Sequence, residues 1–162
     1  MTDKIQILSQ IREKVAEELG YLKKSMDAAY EETTHTETKQ EGKYDTRAIE
    51  AGYLAGAQSE RYRIMSSHLA ALERLIMAQK GPLESAGAGS VVILVSEEDD
   101  MVKRLVLIPN LGGYEAVVDD LVYTSITLDS AIGRVIYKKF EGDEVTLQIK
   151  GQKKQYILEK IL

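Results

Sequence analysis

The sequence of 162 residues contains no cysteine, no tryptophan, two prolines and a single phenylalanine. Without cysteine the chain forms neither a disulfide nor a zinc site with thiolate ligands. Aromatic residues make up only 6% of the chain, which disfavours a surface on which nucleic-acid bases stack. No apolar run reaches the roughly 18 residues of a membrane span, and the start lacks a signal-peptide layout. We therefore expect no contact with a membrane and a cytoplasmic location.

Charge and histidine content narrow the function classes further. The chain has 26 acidic and 21 basic residues, a net charge of −5, so we expect weak or no binding to free DNA. His35 and His68 are the only histidines and stand far apart in the sequence, so we predict no metal site of the chain's own. A composition that is 44% hydrophobic and 29% charged is typical of one or two small globular domains.

Proline, glycine and strand-forming residues divide the chain into two halves. Residues 1–80 contain no proline and predict helix, whereas the segment 81–89, GPLESAGAG, predicts a linker. Residues 90–162 are rich in apolar strand-like runs. We expect a helical domain over 1–80 and a second domain over 90–162.

The first half predicts two long helices. Apolar residues recur near heptad spacing with one gap at Arg12 (Ile5, Leu8, Val15, Leu19, Leu22, Met26 and Ala29). After Ala29 the polar, threonine-rich segment is expected to disfavour helix. Asp45 or Thr46 can then cap a second helix that runs to about Gln79, with one predicted apolar face (Leu54, Ala57, Ile64, Ala71 and Leu75). The pattern predicts an antiparallel two-helix coiled coil.

The second half predicts a small sheet. The runs 90–95 and 103–109 flank the acidic turn 96–100 and have the pattern of a β-hairpin. Two further strands are predicted over 144–150 and 155–162, with a short helix near 130–137. About four antiparallel strands packed with one helix make an α+β domain.

Three stretches near the C-terminus resemble the end of the bacterial Gre transcript-cleavage factors. They are Asp129–Gly133 (DSAIG), Gly142–Val145 (GDEV) and Tyr156–Ile161 (YILEKI). The order of a helical hairpin followed by this domain is also the Gre order, so the likeness extends over nearly the whole chain. The resemblance implies an α+β protein in which an N-terminal antiparallel coiled coil precedes a small FKBP-like antiparallel sheet domain with one short helix.

The resemblance also implies a mechanism and partners. A Gre-like chain is a monomer that docks at the secondary channel of bacterial RNA polymerase, here through Asp129, Ser130, Ile132, Gly133 and Arg134. Its coiled-coil tip then enters the channel and reaches the nascent RNA at the active site. Tip carboxylates there help to hold Mg²⁺, and the polymerase itself cleaves the backtracked RNA. Such a factor is not an enzyme and binds no cofactor alone, because the Mg²⁺ is shared with the polymerase.

The predicted tip departs from the family pattern. Gapless alignment to the family tip places Tyr44 and Arg47 on the two acidic positions, so the paired carboxylates are not reproduced. Asp45 and Glu41 are the best substitutes as catalytic tip carboxylates, with Tyr44, Arg47 and Glu50 as tip contacts. Asp45 can equally be an N-cap.

Three alternatives stay open at the sequence level. The same docking without cleavage would make the chain a modulator or inhibitor of transcription. An FKBP-like domain is compatible with a prolyl isomerase, although fold does not imply function. A long two-helix hairpin is also compatible with a coiled-coil interaction module.

Overall fold

The computed structural model describes residues 4–37, 46–78, 81, 83–149 and 151–162. Two long helices, α1 (Lys4–Glu37) and α2 (Thr46–Ala78), come first. Six strands and one short helix follow: β1 (Val91–Ser96), β2 (Val102–Leu107), β3 (Glu115–Val118), β4 (Leu121–Ile126), α3 (Ala131–Ile136), β5 (Glu144–Ile149) and β6 (Gln152–Ile161). In this described part of the chain, no helix is long and apolar enough to cross a membrane. The predicted α+β class, a helical hairpin and then a sheet with a short helix, is confirmed.

Helix α1 is longer than its apolar pattern predicts. It continues to Glu37, so the expectation that helix is disfavoured after Ala29 is wrong. The propensity cost of each threonine relative to alanine is small, about 0.7 kcal/mol at most. Each residue added to an existing helix also gains a backbone hydrogen bond. A helix that has already propagated through 26 residues therefore outlasts a short unfavourable segment.

Ile11, the neighbour of Arg12, takes the buried position at which the apolar pattern of α1 is interrupted. Ile11 is fully buried together with Leu8 and Val15, so the three residues follow the 3–4 spacing of a helical seam. Arg12 lies beside this seam and forms an ion pair with Glu73 of α2, with 3.7 Å between the guanidinium and carboxylate groups. The pair joins the two helices across exposed surface.

Helix α2 buries a different face from the predicted one. One row of buried and half-buried residues along α2 recurs at spacings of 3 and 4 (Ala55, Gln58, Tyr62, Met65, Leu69, Leu72 and Ile76). Leu54, Ala57 and Ile64 are exposed, so their placement on the buried face was wrong, while Ala71 and Leu75 are half-buried. The pattern misled because Gln58 and Tyr62 occupy seam positions that aliphatic residues fill elsewhere. Among the described residues, the buried Oε1 of Gln58 accepts no hydrogen bond.

The six strands form one mixed sheet in the order β3-β4-β2-β1-β6-β5. The predicted hairpin of β1 and β2 is confirmed, with Val91 opposite Val106 and Val95 opposite Val102. The sheet has two strands more than expected, and β2 and β4 run parallel. The missed hairpin of β3 and β4 turns at Asp119 and Asp120, whose φ values of 53° and 60° are typical of a type I′ turn. The sequence pattern missed it because an Asp-Asp turn lacks the usual glycine.

One face of the sheet packs against α3. The core on this face consists of apolar residues from five elements and the loop before β1 (Ala86, Val92, Leu94, Leu105, Leu107, Ile136, Val145, Leu147, Tyr156, Leu158 and Ile161). Leu83 and Ile132 are partly buried against it. The segment predicted as a linker therefore contributes core residues, because Ala86 is buried and Leu83 packs beside it.

The described chain divides into two compact units. One consists of Met1–Glu13 and Ala70–Leu162, and the other of Lys14–Leu69. In the first unit the Gln10 side-chain amide donates to the Val117 carbonyl and accepts from the Val117 N–H, both at 2.9 Å. Gln10 thus satisfies the outer edge of β3, which is the last strand on that side of the sheet. The predicted boundaries at 80 and 90 stay a prediction.

Candidate functional site

Ser130 organises the start of α3, the element that carries the predicted docking residues. Its Oγ donates to the Thr127 carbonyl at 2.7 Å and accepts from the Gly133 N–H at 3.0 Å. A serine side chain that accepts from the third residue onward is an N-cap, and it satisfies one of the backbone donors left free at a helix start. Ser130 therefore fixes where α3 begins rather than offering a free hydroxyl to a partner.

Gly133 is required by close packing of the backbone. A Cβ built at this position would lie 2.1 Å from the Thr127 carbonyl oxygen and 2.9 Å from that of Leu128. Gly133 is itself buried, and its carbonyl accepts from the Tyr137 N–H at 2.9 Å. The glycine lets α3 pack tightly on the preceding turn.

The predicted docking residues thus divide into two groups. Ser130, Ile132 and Gly133 are half-buried or buried and hold α3 in place. Asp129 and Arg134 are exposed, one on each side of the cap. An exposed acid and an exposed base on a rigid turn can form directional ion pairs with a partner surface. Their polymerase contact remains a prediction.

The chain that follows α3 carries residues that sequence reasoning missed. Val135, Tyr137 and Phe140 are all exposed apolar side chains, and Lys138 lies over the Tyr137 ring at 5.4 Å from its centroid. The signal in the sequence is the run RVIYKKF, which combines three cations with the only phenylalanine of the chain. This run continues the surface that Arg134 begins.

Most of the predicted tip lies outside the described residues. Glu41, Tyr44 and Asp45 fall between α1 and α2, in the segment 38–45 that the structure does not describe. Arg47 belongs to the first turn of α2, and Glu50 is exposed one turn further along. The catalytic and contact roles of these five residues stay predictions.

A carboxylate with a strongly lowered pKa lies at the turn between β1 and β2. The Asp99 carboxylate accepts a hydrogen bond from Lys154 Nζ at 2.7 Å, and this bond, helped by one from Ser96, lowers the pKa of Asp99 to about 2. Lys154 belongs to β6, and the same bond raises its pKa. Within the described ranges, no group of three or more acidic or histidine side chains is placed to hold a metal ion. The ion pair of Asp99 and Lys154 connects the turn between β1 and β2 to strand β6.

A shallow apolar cleft of about 220 Å³ lies between the end of α2 and the segment after β2. Its lining consists of Ala71, Leu72, Arg74, Leu75, Ile108 and Pro109. None of these side chains is aromatic, so the cleft offers no ring against which a substrate proline could pack. It lends no support to the prolyl isomerase alternative.

Comparison with known proteins gives structural neighbours only. No family model matches the chain, and no curated protein matches it either. The chain is similar to the crystal structure of GreA factor homolog 1 (Gfh1) of Thermus thermophilus, at 17% identity over 93% of this chain and 94% of that chain, with a TM-score of 0.40. Gfh1 of Thermus aquaticus is 18% identical over 92% of both chains, with a TM-score of 0.41.

A third neighbour is the prokaryotic transcription elongation factor GreA/GreB from Nitrosomonas europaea. It is 14% identical over 63% of this chain and 91% of that chain, with a TM-score of 0.39. At such identities and TM-scores the similarity carries no argument about activity, which has to rest on the residues themselves.

Proposed function

We propose that the chain is a Gre-type transcription elongation factor that acts on bacterial RNA polymerase. The observation that carries the proposal is the combination of a long helical hairpin with the Asp129–Arg134 turn. This turn has the residues of the Gre motif. Its serine caps α3, and its glycine allows the close packing of the backbone. Ser130 caps α3, and Gly133 leaves no room for a Cβ, so the turn needs both residues to hold its shape.

The proposed docking uses the exposed residues of that turn. Asp129 and Arg134 contact the rim of the secondary channel, while Ser130, Ile132 and Gly133 hold the turn in shape. Pre-organised charges lose less conformational entropy on binding than mobile ones, which favours a rigid turn as the anchor. Helix α1 has 34 residues and α2 has 33, lengths of about 50 Å at 1.5 Å per residue. A hairpin of this length can extend well into a channel.

The proposed action of the tip is to add carboxylate oxygens to the polymerase active site. Asp45 and Glu41 are the residues we assign to this role, with Tyr44, Arg47 and Glu50 as contacts. A second Mg²⁺ there would be shared with the polymerase and would stabilise a hydrolytic transition state, since Mg²⁺ prefers hard oxygen ligands and takes only one or two from protein. The chain itself positions oxygen atoms and catalyses nothing alone.

The test is an RNA-cleavage assay on a defined backtracked elongation complex with the cognate polymerase. Wild type, Asp45→Ala and Glu41→Ala are compared with Asp27→Ala, which removes an exposed acid from the body of α1. Polymerase binding is measured separately for each. The proposal predicts cleavage that Asp45→Ala lowers at least about 100-fold, as loss of one charge-stabilising group does elsewhere, with binding unchanged. Cleavage that Asp45→Ala and Asp27→Ala reduce equally would contradict it.

A second function is favoured by the tip sequence itself. The paired acidic spacing of the family is not reproduced, because Tyr44 and Arg47 fall on those positions in a gapless alignment. The chain would then occupy the channel without supplying paired carboxylates, and would modulate transcription. Saturable polymerase binding with no stimulated cleavage, together with altered initiation or elongation rates, identifies this alternative.

A further inference from the structure

The surface that follows the docking turn has the composition of a binding site. We define the Arg134–Phe140 patch by five exposed residues, Arg134, Val135, Tyr137, Lys138 and Phe140. Val135 is 38% exposed, Tyr137 46% and Phe140 55%, although all three are large apolar side chains. Aromatic residues and arginine are the types most enriched at the energetic centres of protein interfaces.

The backbone of the patch is held in place by the rest of the domain. The Lys138 N–H donates to the Ala86 carbonyl and the Ala86 N–H donates to the Lys139 carbonyl, both at 2.8 Å. The Phe140 N–H donates to the Asp143 carboxylate at 2.8 Å. These bonds fix the exposed side chains relative to the core, because Ala86 is itself buried. A partner therefore meets a preformed surface, which lowers the entropic cost of binding.

The backbone of Lys138 has an unusual conformation. Its φ of 62° lies in the left-handed region, which is uncommon for residues other than glycine and costs on the order of 1 kcal/mol. The Lys138 ammonium lies over the Tyr137 ring, 5.4 Å from its centroid. Cation and ring are thus presented side by side.

The charge of the patch selects its partner. The segment 134–140 has three cations and no acid in a chain whose net charge is −5. Acidic residues border it at Asp129, Glu141 and Asp143, so its cations do not extend into the track that a nucleic-acid backbone requires. A short acidic protein segment with apolar side chains matches both the isolated positive charge and the exposed rings.

We propose that the Arg134–Phe140 patch binds an acidic and apolar surface segment of RNA polymerase, next to the contact made by Asp129 and Arg134. This inference rests on the proposed function and extends it, since Val135, Tyr137, Lys138 and Phe140 lie beyond the motif that carries the Gre resemblance. The rings supply buried apolar contact and Lys138 supplies the ion pair. Binding through the patch would orient the domain more firmly than the turn alone.

The test is equilibrium binding of the full chain to cognate core polymerase, by fluorescence anisotropy. Tyr137→Ala and Phe140→Ala are each expected to raise Kd about 10-fold, the effect of losing about 1.4 kcal/mol at an interface anchor. Val135→Ala is compared with Val122→Ala, since Val122 is 47% exposed on β4. Lys138→Glu is compared with Lys153→Glu, an exposed lysine of β6. Thermal melts of every variant show that each remains folded.

The outcomes separate this inference from the function on which it rests. If wild type does not bind polymerase, the proposed function fails and the inference fails with it. If wild type binds and the patch variants bind no more weakly than Val122→Ala and Lys153→Glu, the inference alone is overturned. If the free chain binds a single-stranded RNA oligonucleotide and the patch variants lose that binding instead, the patch is a nucleic-acid surface and the inference is again overturned.

Discussion

Gly133 is the residue at which a single methyl group has the largest expected effect on the docking turn. The Cβ of Gly133→Ala would meet the Thr127 carbonyl oxygen at 2.1 Å, so the backbone has to move. Overpacking of this kind typically costs about 1–3 kcal/mol, and we expect at least about 2 because the obstacle is backbone. Urea denaturation measures the change in the free energy of unfolding.

Gly56→Ala is the matched control for that measurement. Gly56 lies in α2 with open space where its Cβ would go, so alanine is expected to stabilise the helix by about 0.5–1 kcal/mol. Opposite signs for the two substitutions are the expected result. A Gly133→Ala protein as stable as wild type would show that the turn is not packed as described.

Asp99 gives a prediction about pH. Its hydrogen bond from Lys154 lowers its pKa from 3.8 to about 2, so the carboxylate stabilises the folded state wherever it is ionised. For a lowered pKa, this contribution is present above the unfolded value near pH 4 and is lost as pH falls toward 2. Asp99→Asn should therefore be less stable than wild type at pH 5, and the difference should shrink between pH 4 and pH 2.

Lys154→Gln tests the cause of that shift. Removing the ammonium donor should bring the Asp99 pKa back toward its ordinary value and flatten the same part of the stability–pH curve. Because Asp99 is exposed and Lys154 is only half-buried, the effect should also weaken with added salt. A wild-type slope that persists unchanged in Lys154→Gln would mean that another carboxylate is responsible.

Among the elements, the buried face of α2 can be tested by comparing two leucine substitutions. Leu72 is buried and Leu54 is exposed. Leu72→Ala should cost about 2–5 kcal/mol, because it removes buried methyl groups and leaves a cavity, whereas Leu54→Ala should change stability by less than about 0.5 kcal/mol. Thermal and urea unfolding of the two variants measure this contrast. Equal losses of stability in the two variants would mean that α2 buries the face with Leu54, as the sequence pattern predicts.

The same elements show what the sequence could and could not predict. The hairpin of β1 and β2 was predictable because an acidic turn separates two uniformly apolar runs. The hairpin of β3 and β4 was not, because its Asp119–Asp120 turn lacks glycine and its strands are only four and six residues long. The face of α2 was misassigned since Gln58 breaks the apolar pattern at a seam position.

The Asp129–Arg134 turn was recognisable for a different reason, and its docking role stays a prediction. The Asp129–Gly133 residues were recognisable as a motif, but only the structure shows that Ser130 and Gly133 serve the fold while Asp129 faces solvent. The exposure of Tyr137 and Phe140 was beyond sequence reasoning, because an apolar residue after a short helix is by default expected in the core. Which side chains are buried depends on tertiary packing, not on local pattern.

In the whole molecule, the proposed function has an acidic chain bind a far larger partner through a basic, aromatic surface. The net charge of −5 disfavours binding to free DNA. The Arg134–Phe140 patch is positively charged and can bind an acidic protein surface. The proposed function requires that the Glu41–Glu50 segment reach the polymerase active site.

Localised cleavage of the polymerase by a probe attached to the chain shows where this segment binds. Because the chain has no cysteine, Arg47→Cys can carry a single iron chelate that cuts protein backbone nearby, and Val122→Cys places the same probe on β4. In complexes with cognate core polymerase, the account predicts that the probe at position 47 cuts the catalytic subunit beside its Mg²⁺ site and that the probe at position 122 does not. Cuts from position 47 that fall only on the outer surface of the polymerase, or no cuts despite binding, would contradict the account.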